Sequence, residues 1–393
     1  MSSSFGQGTE PSDGSRVIST AVPFLTISPD ARSGGMGDVG VSSAPDAYSM
    51  FWNPAKYAFI DKTFGIGVGY VPWLHALVND IGLASVVGFW KIGDKQAIAA
   101  SLRFFSMGAV DFTDNDGNPL GQVKPNEWAV DATYSRKFSR EFSGAVAGRF
   151  IYSNLVPVDL ANLSVSPGTS IAADVAIYYH HMMEIKGMAG ASIDFGLNIS
   201  NIGSKMSYSS TSIVRDFIPT TLRLGPTFTM DIDEYNKVSF SLDLSKLLVP
   251  TPPVYKRDSN NYIVKDAQGN NVILYGQNPD VSPVKGMIQS FYDAPYGFKE
   301  EMQEIDVSFA AEYWYNKLFS VRAGYFYESK YKGERQFFTI GAGLRYNVFG
   351  LDFSYLVPVK SNNPLQHTLQ FTLLFNFDAT KKASNEKETG GTN

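Results

Sequence analysis

The chain has 393 residues, of which 14% are aromatic and only 18% are charged, and its formal net charge is −5. So low a charged fraction is unusual for a soluble protein, and the acidic balance gives no support for nucleic-acid binding. The absence of cysteine excludes disulfides, cysteine-ligated zinc and cysteine nucleophiles. No apolar run reaches about 18 residues, so the chain is either soluble or a closed β-barrel, the other structure that satisfies its backbone in lipid.

Four segments are predicted along the chain. Residues 1–20 are rich in Ser, Gly, Thr and Asp, and we expect a disordered tail without a signal peptide, which an exported form would have lost. Residues 21–60 are too apolar for a free tail and are predicted to form a plug, or hatch, packed against or inside the main body. A transmembrane β-barrel is predicted over residues 61–378, and a second disordered tail over residues 379–393.

From Phe64 onwards the apolar residues recur with a period of two. In residues 366–377 the odd positions from Leu369 to Phe377 are apolar, and the even positions are polar except Leu374. Residues 304–314, 338–348 and 238–245 alternate in the same way. Most of these strands are about ten residues long and carry aromatic residues near the ends of the apolar face. That combination is typical of an outer-membrane barrel and not of a soluble sandwich.

Short connections alternate with long ones along this region, as they do in barrels with short periplasmic turns and longer extracellular loops. The sequence predicts an all-β, 14-stranded antiparallel transmembrane barrel, whose first and last strands pair so that no edge remains. The predicted strands span residues 64–72, 81–92, 95–107, 125–138, 141–154, 169–182, 186–202, 217–230, 237–248, 303–315, 318–329, 335–348, 350–357 and 366–378.

Two stretches near the start carry a family resemblance. Trp52, Asn53, Pro54 and Ala55 resemble the N-terminal hatch motif of the FadL-type outer-membrane barrels. The opening from Val22 to Arg32, Val-Pro-Phe-Leu-Thr-Ile-Ser-Pro-Asp-Ala-Arg, resembles the PorV branch of that superfamily, which belongs to the type IX secretion system. The resemblance implies 14 strands and an N-terminal hatch.

The same resemblance implies a non-enzymatic outer-membrane protein without a cofactor. Members of that branch bind the C-terminal signal domain of secreted cargo, take it from the translocon barrel and deliver it to the cell-surface sortase complex. The expected partners are therefore the translocon, cargo signal domains, the sortase complex, and the lipid and lipopolysaccharide of the outer membrane. Two alternatives remain: a FadL-like channel for hydrophobic small molecules, and a lipid A deacylase.

The longest connection, residues 249–302, is predicted to contain a small hairpin built from residues 262–264 and 272–275. If the N-terminus is periplasmic, this loop is extracellular. Its end carries four large aromatic residues, and exposed aromatic clusters usually mark interaction sites. We expect part of a protein-docking surface, or a lid packed on the barrel mouth, at Phe291, Tyr292, Tyr296 and Phe298.

Charged residues also occur at interior positions of the predicted strands. Because buried charges need partners, one interpretation is an ion-pair network that fills the lumen, and the other is a polar conduction path. The residues concerned are Arg103, Asp131, Arg149, Asp174, Asp194, Arg223, Asp243, Glu304, Asp306, Arg322, Arg345 and Asp352.

Three further motifs are predicted to be structural. Gly35–Gly40 matches GxGxxG but is followed by hairpins instead of a strand–helix unit, so it is interpreted as a flexible approach to the plug. Asp114–Asn118 resembles half a calcium loop, but the twelfth position is Pro125, which favours a turn. The four histidines lack zinc-site spacing, and His180 and His181 are expected in an interfacial girdle.

Overall fold

The structure is a computed structural model that describes residues 16–74, 78, 80–113, 119–155, 166–208, 215–360, 363–366 and 368–378. Among these residues no helix is long or apolar enough to cross a membrane. Two short 3-10 helices span Pro23–Thr26 and Pro54–Phe59. The α-helices are α1 (Ala31–Gly34), α2 (Ser49–Trp52), α3 (Pro283–Gln289) and α4 (Phe298–Met302). The strands are β1 (Phe64–Pro72), β2 (Ile81–Ile92), β3 (Gln96–Met107), β4 (Val110–Thr113), β5 (Pro119–Val123), β6 (Asn126–Lys137), β7 (Phe142–Asn154), β8 (Gly168–Met183), β9 (Gly190–Gly203), β10 (Thr221–Asp231), β11 (Asn236–Leu247), β12 (Val254–Tyr255), β13 (Ile273–Tyr275), β14 (Ile305–Tyr315), β15 (Phe319–Tyr327), β16 (Gln336–Tyr346), β17 (Phe349–Pro358) and β18 (Leu369–Phe377).

Fourteen of these strands close into one antiparallel barrel, which confirms the predicted fold class. Each strand pairs with its neighbours in the chain, and β1 closes the ring by pairing with β18, with Phe64 opposite Phe377 and Val68 opposite Leu373. The remaining strands form two small ribbons, β4–β5 and β12–β13, within the long connections. Closure removes the strand edges that an open sheet of this length would expose.

The predicted strand boundaries agree with the structure to within four residues. The largest differences are at the starts of β9 and β10, which were predicted at 186 and 217 but begin at Gly190 and Thr221. A turn with Gly187 at positive φ delays β9, and Pro219, which has no N–H to donate, precedes β10. In these two strands the alternating sequence pattern therefore begins a few residues before the hydrogen-bonded strand.

Alternate residues of each strand face outward and inward. In β18, Leu373 is 38% exposed and Thr372 is 1% exposed, as expected for a lipid-facing and a lumen-facing residue. Large aromatic side chains, including Trp90, Phe138 and Tyr346, are exposed near the strand ends. Leu374 broke the predicted alternation because it faces inward, where it packs in a cluster with Tyr48 and Tyr57.

We use the term hatch segment for residues 21–60, which contact inward-facing residues at successive levels of the barrel. At the end with the long connections, the long-loop end, Phe24 and Leu25 pack in a cluster with Phe105. Midway, the Ala31 N–H donates to Thr372. At the opposite, short-turn end, Ile60 accepts a hydrogen bond from Lys91.

The chain therefore enters the barrel at the long-loop end and leaves it at the short-turn end, where β1 begins. The first described residue, Arg16, lies at the long-loop end, because its N–H donates to the carbonyl of Tyr331 in the loop between β15 and β16. We expected the long loop opposite a periplasmic N-terminus, but Arg16 lies at the same end as the long loop. It is the start of β1, and not Arg16, that lies at the end opposite the long loop.

The connection from β11 to β14 folds into a compact unit at the long-loop end. The predicted hairpin of residues 262–264 with 272–275 is only partly present. The Val272 N–H donates to Val264, but β13 pairs with β12 instead, with Tyr275 opposite Val254. Residues 254–256 join it, because Val264 and Lys256 are also hydrogen-bonded. Two successive turns are each capped by an aspartate, Asp258 and Asp266. The helices α3 and α4, which follow, were not predicted.

Candidate functional site: the hatch segment and the long-loop face

The hatch motif is a set of buried hydrogen bonds centred on Asn53. Its side-chain amide donates to the carbonyls of Val41 in the hatch segment and Ile177 in β8, both at 2.9 Å. Its oxygen accepts from the Ala55 N–H and so caps the 3-10 helix, in which Pro54 takes the first position. Asn53 thus joins two parts of the hatch segment to the wall.

The neighbours of Asn53 extend these contacts. The Trp52 indole donates to Asp30 at 2.8 Å, and the Trp52 carbonyl accepts from Asn198 in β9. The Ala55 carbonyl accepts from Ser135 at 3.1 Å and from Ser143 at 2.7 Å. The motif therefore contacts β6, β7, β8 and β9.

The glycine-rich run before the motif lies directly against the wall. Gly37 has a φ of +64°, and a Cβ at this position would lie 2.8 Å from the backbone nitrogen of Tyr325. Its N–H donates to Thr339. On the wall itself, a Cβ on Gly196 would lie 2.0 Å from the Val41 carbonyl oxygen. These glycines allow two backbones to approach each other and are not part of a nucleotide-binding loop.

The first group of interior charges lies on neighbouring strands β3, β6, β7 and β8. Arg149 contacts Asp131 through its Nε, and its Nη2 lies 2.9 Å from Asp174. Arg103 lies 3.5 Å from the same Asp131. Arg149 also donates to Asn201, whose backbone N–H donates to Asp174. Each of these buried charges therefore has a charged partner.

A second group connects the hatch segment to the opposite wall. Arg322 binds Glu312 at 2.6 Å and Asp352 at 2.8 Å, and Arg345 binds Asp352. Glu312 in turn receives two hydrogen bonds from Arg32 of the hatch segment, at 3.0 and 2.8 Å. The predicted charges thus occur in separate groups, and this group is completed by the hatch residue Arg32.

A third group lies at the long-loop end. Glu304 binds Lys246 at 2.5 Å and Lys332 at 2.8 Å, and Thr251 donates to it. Lys332 also binds Glu300 at 2.8 Å. This group joins β11, the long loop and the loop that precedes β16.

The other four predicted charges have different partners. Asp194 accepts from Tyr178 and contacts His180. Asp243 accepts from the backbone N–H groups of Gly40 and Val41. Arg223 lies over the rings of Phe51 and Trp52, with its guanidinium carbon 5.6 and 5.4 Å from the ring centroids. Asp306 lies 3.9 Å from Arg335.

A cavity of about 520 Å³ lies between the hatch segment and the long-loop end of the barrel. Phe24 and Ile27 line it from the hatch segment, and Phe105 and Phe326 line it from the wall. Charged residues line much of the rest: Asp38, Arg223, Asp243, Lys246, Glu304, Asp306, Glu328, Lys332 and Arg335. The cavity thus has an apolar part and a charged part.

The four aromatic residues of the long loop are all exposed. Phe298 is 79% exposed, and Phe291, Tyr292 and Tyr296 are each more than half exposed. Other residues pack the loop, among them the buried Gln289, Ser290, Asp293 and Ala294. The Asp293 carboxylate accepts from the Thr251 N–H, and burial raises its pKa to about 6.

The remaining motifs contribute little to this site. The predicted turn Asp114–Asn118 lies outside the described residues, as do His75 and His367. His180 and His181 lie at the end of β8, where His181 contacts Glu141 at 2.8 Å. Within the described ranges, no cluster of three or more His, Asp or Glu residues could hold a metal ion.

Several residues of the site were missed by sequence reasoning. Glu312 belongs to the alternating pattern of β14, so its inward position could have been found from the period. Arg32, Lys246 and Lys332 offered no such indication, because their partners Glu312 and Glu304 lie between 28 and 280 residues away in the chain. Only the closed barrel brings these charges together.

Comparison with solved structures finds similar barrels. A deletion mutant of the monoaromatic hydrocarbon channel TodX has a TM-score of 0.50 and 10% identity, over 89% of this chain and 98% of that chain. The Ralstonia pickettii toluene transporter TbuX has a TM-score of 0.47 and 12% identity, over 90% and 99%. A Pseudomonas aeruginosa FadL homologue has a TM-score of 0.42 and 12% identity, over 93% and 99%. At such identities the likeness concerns the fold alone.

The closed 14-stranded barrel with its apolar outer face has the architecture of an outer-membrane β-barrel protein. The family model of the type IX secretion system protein PorV matches residues 10–254, well over half of the chain. The chain therefore belongs to the PorV family. The comparison with curated proteins found no significant match.

Proposed function

We propose that this protein is the outer-membrane component of a type IX secretion system that receives secreted cargo. It binds the C-terminal signal domain of cargo, takes it from the translocon and delivers it to the cell-surface sortase complex. The observation that carries the proposal is the exposed aromatic surface of the long loop in a member of the PorV family. The proposal assigns no catalytic activity.

The position of this surface supports docking of a protein. Phe291, Tyr292, Tyr296 and Phe298 are exposed although the loop is packed by other residues. Aromatic side chains contribute most to the energetics of protein interfaces, and truncation of a central one typically costs about 2 kcal/mol or more. Two further apolar residues of the same loop, Val284 and Ile288 on α3, are also exposed. A packed loop that exposes such residues is suited to hold a folded partner.

Alanine substitution at Tyr292 tests the proposal. Barrel folding, followed by heat-modifiable migration on gels, should remain intact, while cargo co-purification and surface delivery should fall. The matched control is Tyr262→Ala, which removes a tyrosine that is 71% exposed on the neighbouring hairpin. If Tyr292→Ala and Phe298→Ala both left cargo capture at the wild-type level, the docking surface would be wrongly placed.

The cavity supports a second candidate, a channel for hydrophobic small molecules. Phe24, Ile27, Phe105 and Phe326 give it an apolar part. Under this alternative, Phe105→Ala would change uptake of a hydrophobic solute, whereas Tyr292→Ala would leave secretion unchanged. Measurement of uptake and secretion on the same two variants separates the candidates.

A further inference from the structure

Residues 16–20, which we call the strap, lie at the mouth of the cavity. Val17, Ile18, Ser19 and Thr20 all line it. Two backbone hydrogen bonds fix the strap at its ends: the Arg16 N–H donates to Tyr331, and the N–H of Ala21, the next residue, donates to Phe217, both at 2.8 Å. The strap is therefore a short stretch of chain held between two loops of the long-loop end.

The Arg16 side chain provides the strongest contact of the strap. Its guanidinium donates to both carboxylate oxygens of Glu300, at 2.9 and 3.1 Å, in the bidentate geometry typical of strong arginine–carboxylate pairs. The guanidinium also lies 4.4 Å from the ring centroid of Tyr296. Although burial raises the pKa of Glu300, the hydrogen bonds from Arg16 and Lys332 outweigh it and leave that pKa below its usual value.

The rest of the strap makes weaker contacts than the chain that follows it. Val17 and Ser19 are exposed, and Ile18 and Thr20 are only half-buried. By contrast, Phe24 and Leu25 are fully buried in the cluster beneath. Segments with few buried apolar contacts open at low free-energy cost, and the Arg16–Glu300 pair is the strongest of the few contacts that hold the strap in place.

We propose that the strap blocks access to the cavity while Arg16 binds Glu300 and permits access when this pair separates. The proposal depends on the proposed function in one respect only, the identity of the group that opens the strap. A protein partner that covers Tyr296 competes for the ring against which Arg16 is placed, so docking on the long loop releases the strap. The cavity then becomes accessible from the long-loop end.

The chain contains no cysteine, so a single introduced thiol reports on access to the cavity. Ser308→Cys in β14 is suited to this purpose, because Ser308 lines the cavity and is buried. The rate at which a small membrane-impermeant thiosulfonate modifies this cysteine is measured in the full-length protein, on cells. Ser245→Cys, on the adjacent strand of the same cavity, serves if the first variant does not fold.

Addition of Arg16→Ala to the Ser308→Cys variant should raise the modification rate of the cysteine about tenfold or more, because a charge-assisted pair of hydrogen bonds is lost. Glu300→Gln and deletion of residues 1–20 should have the same effect, and Arg16→Lys a smaller one. Lys299→Ala, an exposed residue of the same helix as Glu300, is the control and should change nothing. Equal modification rates in the wild-type background and after deletion of residues 1–20 would overturn the proposal.

This readout does not depend on secretion. If Arg16→Ala opens the cavity but cargo binding never involves Tyr292 or Phe298, the strap stands and the proposed function fails. If cargo binds at the aromatic surface but the cavity thiol reacts at one rate in every background, the proposed function stands and the strap fails.

Discussion

Asn53 shows why one amide is needed at the centre of the hatch motif. Its nitrogen donates to two backbone carbonyls and its oxygen accepts from a backbone N–H. Asparagine and glutamine alone combine two donors and an acceptor in one neutral planar group, and glutamine would place that group one carbon further out. The motif therefore reflects a geometric requirement of the hatch segment and not a reactive group.

Asn53→Asp is expected to loosen the hatch segment without preventing barrel formation. The aspartate keeps the cap on Ala55 but leaves the carbonyls of Val41 and Ile177 without donors, at about 1–3 kcal/mol for each unsatisfied group. Hydrogen exchange of the amides in residues 40–60 should become faster. The control is Asn261→Asp, the same chemical change in an exposed turn. Unchanged exchange in the hatch segment would contradict the role given to the amide.

Asp293 provides a pH prediction at the same scale. Burial raises its pKa to about 6, and Glu301 and Glu304 act in the same direction. Because the folded loop holds this proton more tightly than the unfolded chain, with an ordinary value of 3.8, the stability of the loop should rise as pH falls from about 6 to about 4. Asp293→Asn should remove that rise and stabilise the loop at neutral pH. Hydrogen exchange of residues 283–302 between pH 4 and 7, corrected for its intrinsic pH dependence, measures both effects.

At the scale of single elements, β18 shows how well the alternation of apolar and polar residues predicts which face of the strand a residue occupies. The alternation correctly assigned Leu373 to the lipid face and Thr372 to the lumen. It could not assign Leu374, because an apolar residue faces the lumen wherever the hatch segment covers it. At lumen-facing positions of a barrel that is filled by a hatch segment, the residue type depends on what the side chain packs against and not only on the alternation.

Leu373→Arg is expected to destabilise the barrel in lipid by about 2–4 kcal/mol, because the residue lies midway along a lipid-facing strand. The matched control is Phe377→Arg at the end of the same strand, where the charge can reach the interface and should cost no more than about 1 kcal/mol. Equilibrium unfolding in lipid bilayers measures the difference. Equal costs would mean that Leu373 does not lie near the bilayer midplane.

The helices α3 and α4 could not have been predicted from local pattern. They have seven and five residues, and helices of that length are unstable in isolation. Tertiary contacts hold them: Gly286 of α3 packs against Phe217, and Glu300 and Glu301 at the start of α4 lie in the charged group at the barrel mouth. The sequence located the long loop and its aromatic residues, but not their scaffold.

For the whole molecule, orientation is the property most open to direct test. The short turns are expected on the periplasmic side and the long loops outside. A cysteine at Gln268, in the exposed long-loop hairpin, should react with an impermeant thiol reagent on intact cells. A cysteine at Asp94, in the exposed turn between β2 and β3, should react only after cell lysis. Reaction of both on intact cells would invalidate the assignment of the two faces.

The fold was more predictable than the site for a physical reason. Each strand has one face toward lipid and one toward the lumen, so its residues alternate between apolar and polar. This alternation can be read strand by strand from the sequence, and it gives both the number of strands and the direction of each side chain. The pairing of charges depends on closure of the ring, as with Arg32 and Glu312, which lie 280 residues apart. Residues could therefore be assigned to the lumen from the sequence, whereas the partners of most could not.

The path of the hatch segment also constrains how the protein is assembled. Arg16 lies at the long-loop face, whereas β1, further along the same chain, starts at the short-turn face. The hatch segment must therefore lie inside the ring by the time β1 pairs with β18, with Arg16 at the long-loop face. A folded domain fused directly ahead of Arg16 would have to reach that same face. A domain fused after Phe377 would remain on the side from which the chain arrived.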